Sequence, residues 1–556
     1  MLIAFVRRLL VNRSPLVIAM IQHSKGGLYM VENKKKSSAS GPGLFQRFIK
    51  GIEIIGNKLP HPFWLFVTLS LIVIILSLLL SKAGVSVTYM AAGKGGEAAK
   101  ETTVSVTNLI SYKALRPFFA DFVKTYVGFA PLGLIMTMML GIGLIEQTGL
   151  ISALMRKTIM GAPSFLVTAV LAFVGINANL ASDAGIIFTP AIGAAVFKAL
   201  GRNPWVGIVT GYAAASGGFT ANLFIAGTDA LLAGITESVT KGMNIPGPVH
   251  PLINWYFLVV ATFVITFVTT FVTERFTVKI LGDTHGHEDE SELLKHAVTP
   301  EENRGLRYAL IAAIICIGLL LYLTVPQGSF FRADDGSIVP KSPLLSGVVA
   351  IIFFLFFFVG IAYGYGSGSI KEASDIPKLM QKGLQGSLSF LVVALPASLF
   401  INLFNTSNMA TILSVRGAEW LEAMNLGGIP LLVMYILLCT FLNLFIMSGS
   451  AKWLILAPIF VPMFSMVGFS PALTQLAYRI GDSSSNIITP LSYYLPVVIG
   501  LMEQYKPEGH TEPVGMGTVI SLAMPYTIAY LIFFTLQLIV WYIFNLPMGP
   551  GAGLFL

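Results

Sequence analysis

Apolar runs long enough to cross a bilayer recur along this chain, and they restrict it to very few kinds of fold. Residues 63–80, 306–325 and 344–362 are nearly unbroken hydrocarbon, and roughly 20 such residues span a membrane core. Inside lipid, a backbone satisfies its own polar groups only as a helix or as a closed barrel. These runs are continuous rather than alternating, which is the helical pattern. Composition agrees, because only 11% of the 556 residues are charged, against about a quarter in a soluble protein. So few charges cannot coat a water-facing surface. The length therefore reads as one helical membrane domain rather than several soluble ones.

The formal net charge is +8. No basic stripe with interleaved aromatics accompanies it, so no nucleic-acid partner is expected. The excess is that of cytoplasmic loops. Lys34, Lys35, Lys36, Arg47, Lys50 and Lys58 precede the first apolar run and predict an inside N-terminus. Arg156 and Lys157, Arg275 and Lys279, and Lys371, Lys378 and Lys382 mark further cytoplasmic segments. Residues 84–121 are expected outside, although Lys94, Lys100, Lys113 and Arg116 lie within them. The last apolar run, 519–544, leads to an uncharged tail and predicts an outside C-terminus. Cys316 and Cys439 lie in apolar runs and suggest neither a disulfide framework nor a metal set. The first 29 residues lack the small-residue cleavage site of a signal peptide, and Met30 is the expected initiator.

The organisation expected is an unassigned extension (1–29), a cytoplasmic N-terminal segment (30–60), one transmembrane domain (61–547) and a tail (548–556). A charged cytoplasmic loop (281–305) interrupts the domain. Two regions, 163–235 and 430–499, depart from the regular runs. Their apolar pieces are too short to cross alone and are separated by Asn, Ser, Asp, Gly and Pro. The two regions align. Pro204 of GRNP matches Pro471 of GFSP, Asp183 falls opposite Ser450, Asn177 matches Asn443 within one residue, and Ser216 falls opposite Ser483. Inverted repeats at about 127–240 and 386–503 are therefore expected, each a hairpin followed by a broken helix. Paired interrupted segments in two halves point to a transport site at mid-membrane.

Asp183 and Asp482 are the carboxylates in these breaks, and each costs about 2.5–3.5 kcal/mol at mid-membrane without a partner. Asn177 and Asn443 add neutral oxygens, and opened helix ends supply carbonyls and N–H groups. Such a set suits a hard cation; equally, burial that raises a carboxyl pKa suits proton carriage. Bound Na⁺ is the one non-protein group this reading admits, and no other cofactor is expected. The structural counterparts are a helix cap or ion pair for the aspartates and cross-helix bonding for the asparagines. Lys452 is expected to snorkel to an interface. Glu146 near a helix end, and the glycine-rich turn at 363–369, read as structural.

The motifs IGNKLPHPFWLF (55–66), FAPLG (129–133), NLASDAG (179–185), SGGFTANL (216–223), NWYF (254–257), GSAKW (449–453), APIFVPM (457–463), GFSP (468–471) and AYRIGDSSSNIITPL (477–491) together resemble the AbgT family, the p-aminobenzoyl-glutamate transporters. The resemblance runs from about residue 45 to 545, with VTERFTVKILG (272–282) divergent. It implies an all-α polytopic protein of about nine transmembrane helices and two re-entrant hairpins, forming a homodimer of bowl-shaped protomers in the bacterial inner membrane. It further implies a non-enzymatic transporter. Its cargo would be p-aminobenzoyl-glutamate or p-aminobenzoic-acid-like metabolites and sulfonamide antimetabolites, coupled to protons or sodium. Carried over by motif, Asn177, Asp183, Asn443 and Asp482 would form the cation site. Ser450, Trp453, Pro471 and Arg479 would line the path of an aromatic carboxylate or sulfonamide. Arg479 lies one helical turn before Asp482 and is expected to neutralise it, and Trp453 to stack on the ring of the cargo. A sodium-coupled dicarboxylate carrier is the rival transporter. An intramembrane aspartyl protease is the enzyme alternative, disfavoured because Asp183 follows Ser182 and Asp482 lies in Arg-Ile-Gly-Asp.

Overall fold

The computed structural model describes residues 60–91, 100–282, 297–339, 342–424, 426–506 and 513–556. For residues 90, 91, 100, 181–183 and 386 it describes the backbone alone. The expectations for Met30, for the N-terminal segment and for most of the charged loop at 281–305 lie outside the described residues.

Among the described residues, eight helices are long and apolar enough to cross a membrane. Seven are plain spans: α1 (Pro62–Lys82), α2 (Ala130–Gln147), α7 (Trp255–Leu281), α8 (Pro300–Tyr322), α9 (Val348–Ser367), α10 (Leu388–Thr406) and α15 (Met516–Ile543). Their ends are written in the sequence. Thr299 and Glu302 form a capping box before α8, with Pro300 in its first turn. The turn after α9 closes at Gly368, whose φ of 81° favours glycine. Among the described residues the regular structure is helical apart from one β-hairpin that the sequence reading did not anticipate. There β1 (Ser86–Ala91) pairs antiparallel with β2 (Lys100–Ser105), and Val87 packs with Val106, Ile412 and Val415.

Eight further helices form two repeats, each a hairpin followed by a broken helix. In the first, α3 (Val167–Asn177) and α4 (Ser182–Ala199) fold back on each other, since a Cβ at Gly175 would meet Thr189 and one at Gly193 would meet Leu171. In the second, α11 (Gly428–Asn443) and α12 (Gly449–Met466) do the same, with Tyr435 packed on Phe460 and Phe464. The helix Leu150–Met160 meets the first hairpin at a bend of 116°. A broken helix follows each hairpin: α5 (Pro204–Gly217) and α6 (Gly227–Met243), then α13 (Pro471–Ser485) and α14 (Leu495–Gln504). The matched GRNP and GFSP motifs are the same device. Asn203 and Ser470 are N-caps that accept from Trp205 N and Leu473 N, and Pro204 and Pro471 take the first helical turn, where no N–H is needed.

The two hairpins enter from opposite ends of the molecule, and α7 serves as the ruler, at about 40 Å for its 27 residues. Its C-terminal end holds the base of the first hairpin. Asn203 donates to the carbonyls of Leu281 and Gly282, and Arg202 pairs with Glu274. Its N-terminal end holds the C-terminal tail, which in turn holds the base of the second hairpin: Tyr256 N donates to Met548 O, and Ser470 N to Leu554 O. The divergent 272–282 segment is part of this scaffold. It carries a π-helical turn, Thr273–Thr277, whose hydroxyls bind Tyr526 of α15 and Thr210 of α5.

Candidate functional site

Hairpin tips and helix breaks meet at the centre of the fold. At the crossing of α5 and α13, Ser483 donates to Gly217 O at 2.7 Å and accepts from Thr220 N, while Thr220 donates to Arg479 O. Each hairpin tip then braces the break of its own repeat. Asn177 accepts from Leu223 N, and Asn179 donates to Gly218 O. In the second repeat Asn443 donates to Asp482 O, Ser485 Oγ and Asn486 Oδ1 at 2.7–2.9 Å. Irregular backbone at membrane depth survives only with such partners.

Among the described residues, the second repeat holds a compact polar cluster. Lys452, in the first turn of α12, is 1% exposed and forms an ion pair with Asp482 Oδ1. The same ammonium donates to Asn443 Oδ1. Three acceptors around Nδ2 fix which way the Asn443 amide faces, so its oxygen points at Lys452. Gly449 packs directly on the carboxylate, for a Cβ there would lie 3.1 Å from Asp482 Oδ2. Tyr478 donates to Gly449 O at 2.5 Å. Asp482 therefore faces an ammonium and the positive end of α12.

This corrects two expectations. Lys452 does not snorkel; it is buried, because a carboxylate and an amide oxygen stand within its reach inside the protein. Arg479 does not neutralise Asp482, although the spacing allows it. Its guanidinium lies 2.7 Å from Asp229 Oδ1 on α6, both side chains being 3% exposed or less. The guanidinium N–H groups point past that oxygen, which accepts no hydrogen bond, so the attraction is electrostatic. Asp229 Oδ2 accepts from Ala226 N and so also caps α6. Each buried cation has its own anion, as burial of charge requires.

Trp453 is neither interfacial nor open to a ring. It is fully buried, stacked on Tyr478 at 4.7 Å between centroids, and donates to Thr236 Oγ1 at 3.0 Å. From Thr236 the bonding continues to Gln475, Asn254 and the carbonyl of Ala472. Ser450 is half-buried at the hairpin tip beside Ser448. Pro471 starts α13, eight residues or about 12 Å from Arg479, and it sits near Gly247 rather than at the breaks. Asp183 lies in the first turn of α4; its side chain lies outside the described residues.

Asn443, Asp482, Trp453 and Arg479 thus come together, while Asn177 serves the opposite repeat. Asp229, Lys452 as a buried partner, Thr220, Asn179 and Asn222 were missed. Asn179 Oδ1 and Asn222 Nδ2 are buried without a hydrogen-bond partner. An aspartate inside the apolar stretch 223–235 was the signal for Asp229; its capping position masked it.

Two of the oxygens that would ligate a sodium ion, Asn443 Oδ1 and Asp482 Oδ1, hold the Lys452 ammonium in this structure. No cluster of three or more His, Cys, Asp or Glu side chains occurs among the described residues.

Opposed hairpins on crossed broken helices, with charges buried where the breaks meet, make a membrane transporter. The chain belongs to the AbgT family, described as the "AbgT putative transporter family", which it matches over residues 47–556. It is 37% identical over 500 residues to the p-aminobenzoyl-glutamate transport protein of Escherichia coli (strain K12), covering 90% of this chain and 95% of that one. The structure of the Neisseria gonorrhoeae MtrF protein, from a class described as antimetabolite efflux pumps, superposes with a TM-score of 0.85 at 35% identity, over 91% of this chain and all of that one. The Alcanivorax borkumensis YdaH transporter superposes with a TM-score of 0.80 at 33% identity, over 88% of this chain and all of that one.

Proposed function

We propose that this transporter moves p-aminobenzoyl-glutamate, or smaller p-aminobenzoic-acid-like metabolites and sulfonamides, across the inner membrane, driven by a proton or sodium gradient. One observation carries the reading: α13 presents an aromatic stack and a buried guanidinium that are both tied to α6. Trp453, stacked on Tyr478, bonds Thr236 of α6, and Arg479 of α13 pairs with Asp229 of the same helix. A cargo that joins a flat ring to an anion needs both surfaces. In this conformation both are shut, with Trp453 0% and Arg479 2% exposed. Loading therefore requires the second hairpin to move against α13. A cavity of about 380 Å³, lined by Glu237, Thr240, Lys241 and Asn244 among others, lies one helical turn beyond Thr236, the partner of Trp453. It supports entry from the face that carries the C-terminal tail. The same reading takes the protein as a homodimer with its N-terminus inside and its C-terminus outside.

The test is transport in proteoliposomes under imposed proton and sodium gradients, with p-aminobenzoyl-glutamate, p-aminobenzoate, a sulfonamide and a dicarboxylate as cargo. Gradient-dependent movement of the aromatic acids is expected. Movement of the dicarboxylate alone would overturn the reading in favour of a dicarboxylate carrier.

A further inference from the structure

The two repeats differ in a way that symmetry does not predict. The shift that places Pro204 on Pro471 places Gly185 on Lys452. At Gly185 no side chain fits, because a Cβ would collide with the Ala178 carbonyl. At Lys452 a four-carbon stem carries an ammonium onto Asp482 and Asn443, two of the four residues that the motif resemblance assigns to cation binding. The Asn443 amide is committed on both sides, its nitrogen to the α13 break and its oxygen to Lys452. Trp453 and Tyr478 pack beside this cluster, and Lys452 itself is 1% exposed.

We propose that Lys452 is a tethered cation that fills the second-repeat half of the site, so that this half takes no soluble ion. An ammonium and a monovalent metal ion satisfy the same carboxylate and amide oxygens. The tethered one is present at a high effective concentration and is not lost to solvent. Its work is to hold the second hairpin tip on the α13 break in this closed conformation, whichever small cations the solution contains. Any coupling ion is then held elsewhere. The inference deepens the transport reading, but its assay measures no transport, so the two can fail separately.

Melting midpoints of the purified full-length protein in equal concentrations of choline, sodium and methylammonium chloride provide the test, with Lys452→Ala, Asp482→Asn and the double variant. With Lys452→Ala, small cations should substitute for the lost ammonium. Its midpoint should rise by about 2 °C or more in methylammonium or sodium over choline, and the double variant should lack that rise. Any sodium response of the wild type should survive Asp482→Asn. Should Lys452→Ala fail to accumulate, the wild type and Asp482→Asn still decide the matter. A sodium shift abolished by Asp482→Asn overturns the proposal, and an unaltered response upholds it. It is equally overturned if Lys452→Ala responds to cations no more than the double variant does.

Discussion

Removing the charge of Asp229 gives the sharpest check on the buried electrostatics. Arg479 and Asp229 lie 2.7 Å apart with both side chains almost fully enclosed. At an effective dielectric of about 20, two unit charges at that distance attract by about 6 kcal/mol. Much of this offsets desolvation, so the intact pair adds little. Removing one partner is different, because it leaves the other charge buried alone, at about 3–5 kcal/mol. Asp229→Asn keeps an oxygen to cap Ala226 N, so the loss should come from the charge rather than from the cap. Arg479→Met should cost a similar amount. The double variant buries no unpaired charge, so its cost should fall below that of either single variant and well short of their sum. Reversible unfolding in mixed micelles with rising dodecyl sulfate measures all four proteins. Additivity within about 0.5 kcal/mol would refute the pairing. The same variant bears on recognition, because Asp229 competes with any incoming anion for Arg479. Asp229→Asn should therefore tighten binding of p-aminobenzoyl compounds, and weaker binding with intact protein would count against Arg479 as the anion contact.

Trp453→Ala should destabilise the protein by about 3–5 kcal/mol, since a fully buried ring is lost. Trp453→Phe keeps a ring on Tyr478 but loses the bond to Thr236, and should weaken aromatic cargo in binding titrations while melting near the wild type. His250 accepts from Leu252 N through Nδ1 and bonds Pro550 O through Nε2. Burial holds its pKa below the usual value, with the Pro550 carbonyl opposing. The folded state thus favours the neutral ring, so its contribution is complete above about pH 6.5 and declines as pH falls from there toward the lowered folded value. His250→Gln should flatten the fall of the melting midpoint between neutral and mildly acidic pH; an unchanged slope would remove His250 from the response. For topology, Ser38→Cys and Gly553→Cys should show opposite accessibility to impermeant thiol reagents in whole cells, and equal labelling would reject the assigned orientation. Gly553 is the better tail position, because Gly549 packs against the Leu252 carbonyl and admits no side chain.

The sequence by itself determined the solvent, the repeat and the location of the breaks. Hydrocarbon runs, cap-proline motifs and paired interruptions are local patterns, and the backbone must answer them wherever the helices later pack. The same locality explains why the small hairpin at 86–105 was not foreseen: Val87 is buried in a cluster with Ile412 and Val415, which lie some 300 residues away. Ion pairing was decided by the tertiary structure alone. Spacing on α13 offered Arg479 to Asp482, and nothing local opposed it. Packing brought Lys452 from the other hairpin arm to Asp482 and Asp229 from α6 to Arg479. A buried charge takes whichever counter-charge the fold delivers at contact distance, and that partner lies here tens to hundreds of residues away in the chain. For the same reason Trp453 could be read as an aromatic surface but not as a closed one. Its exposure depends on Tyr478 and Thr236, which only the crossing of α6, α12 and α13 brings to it.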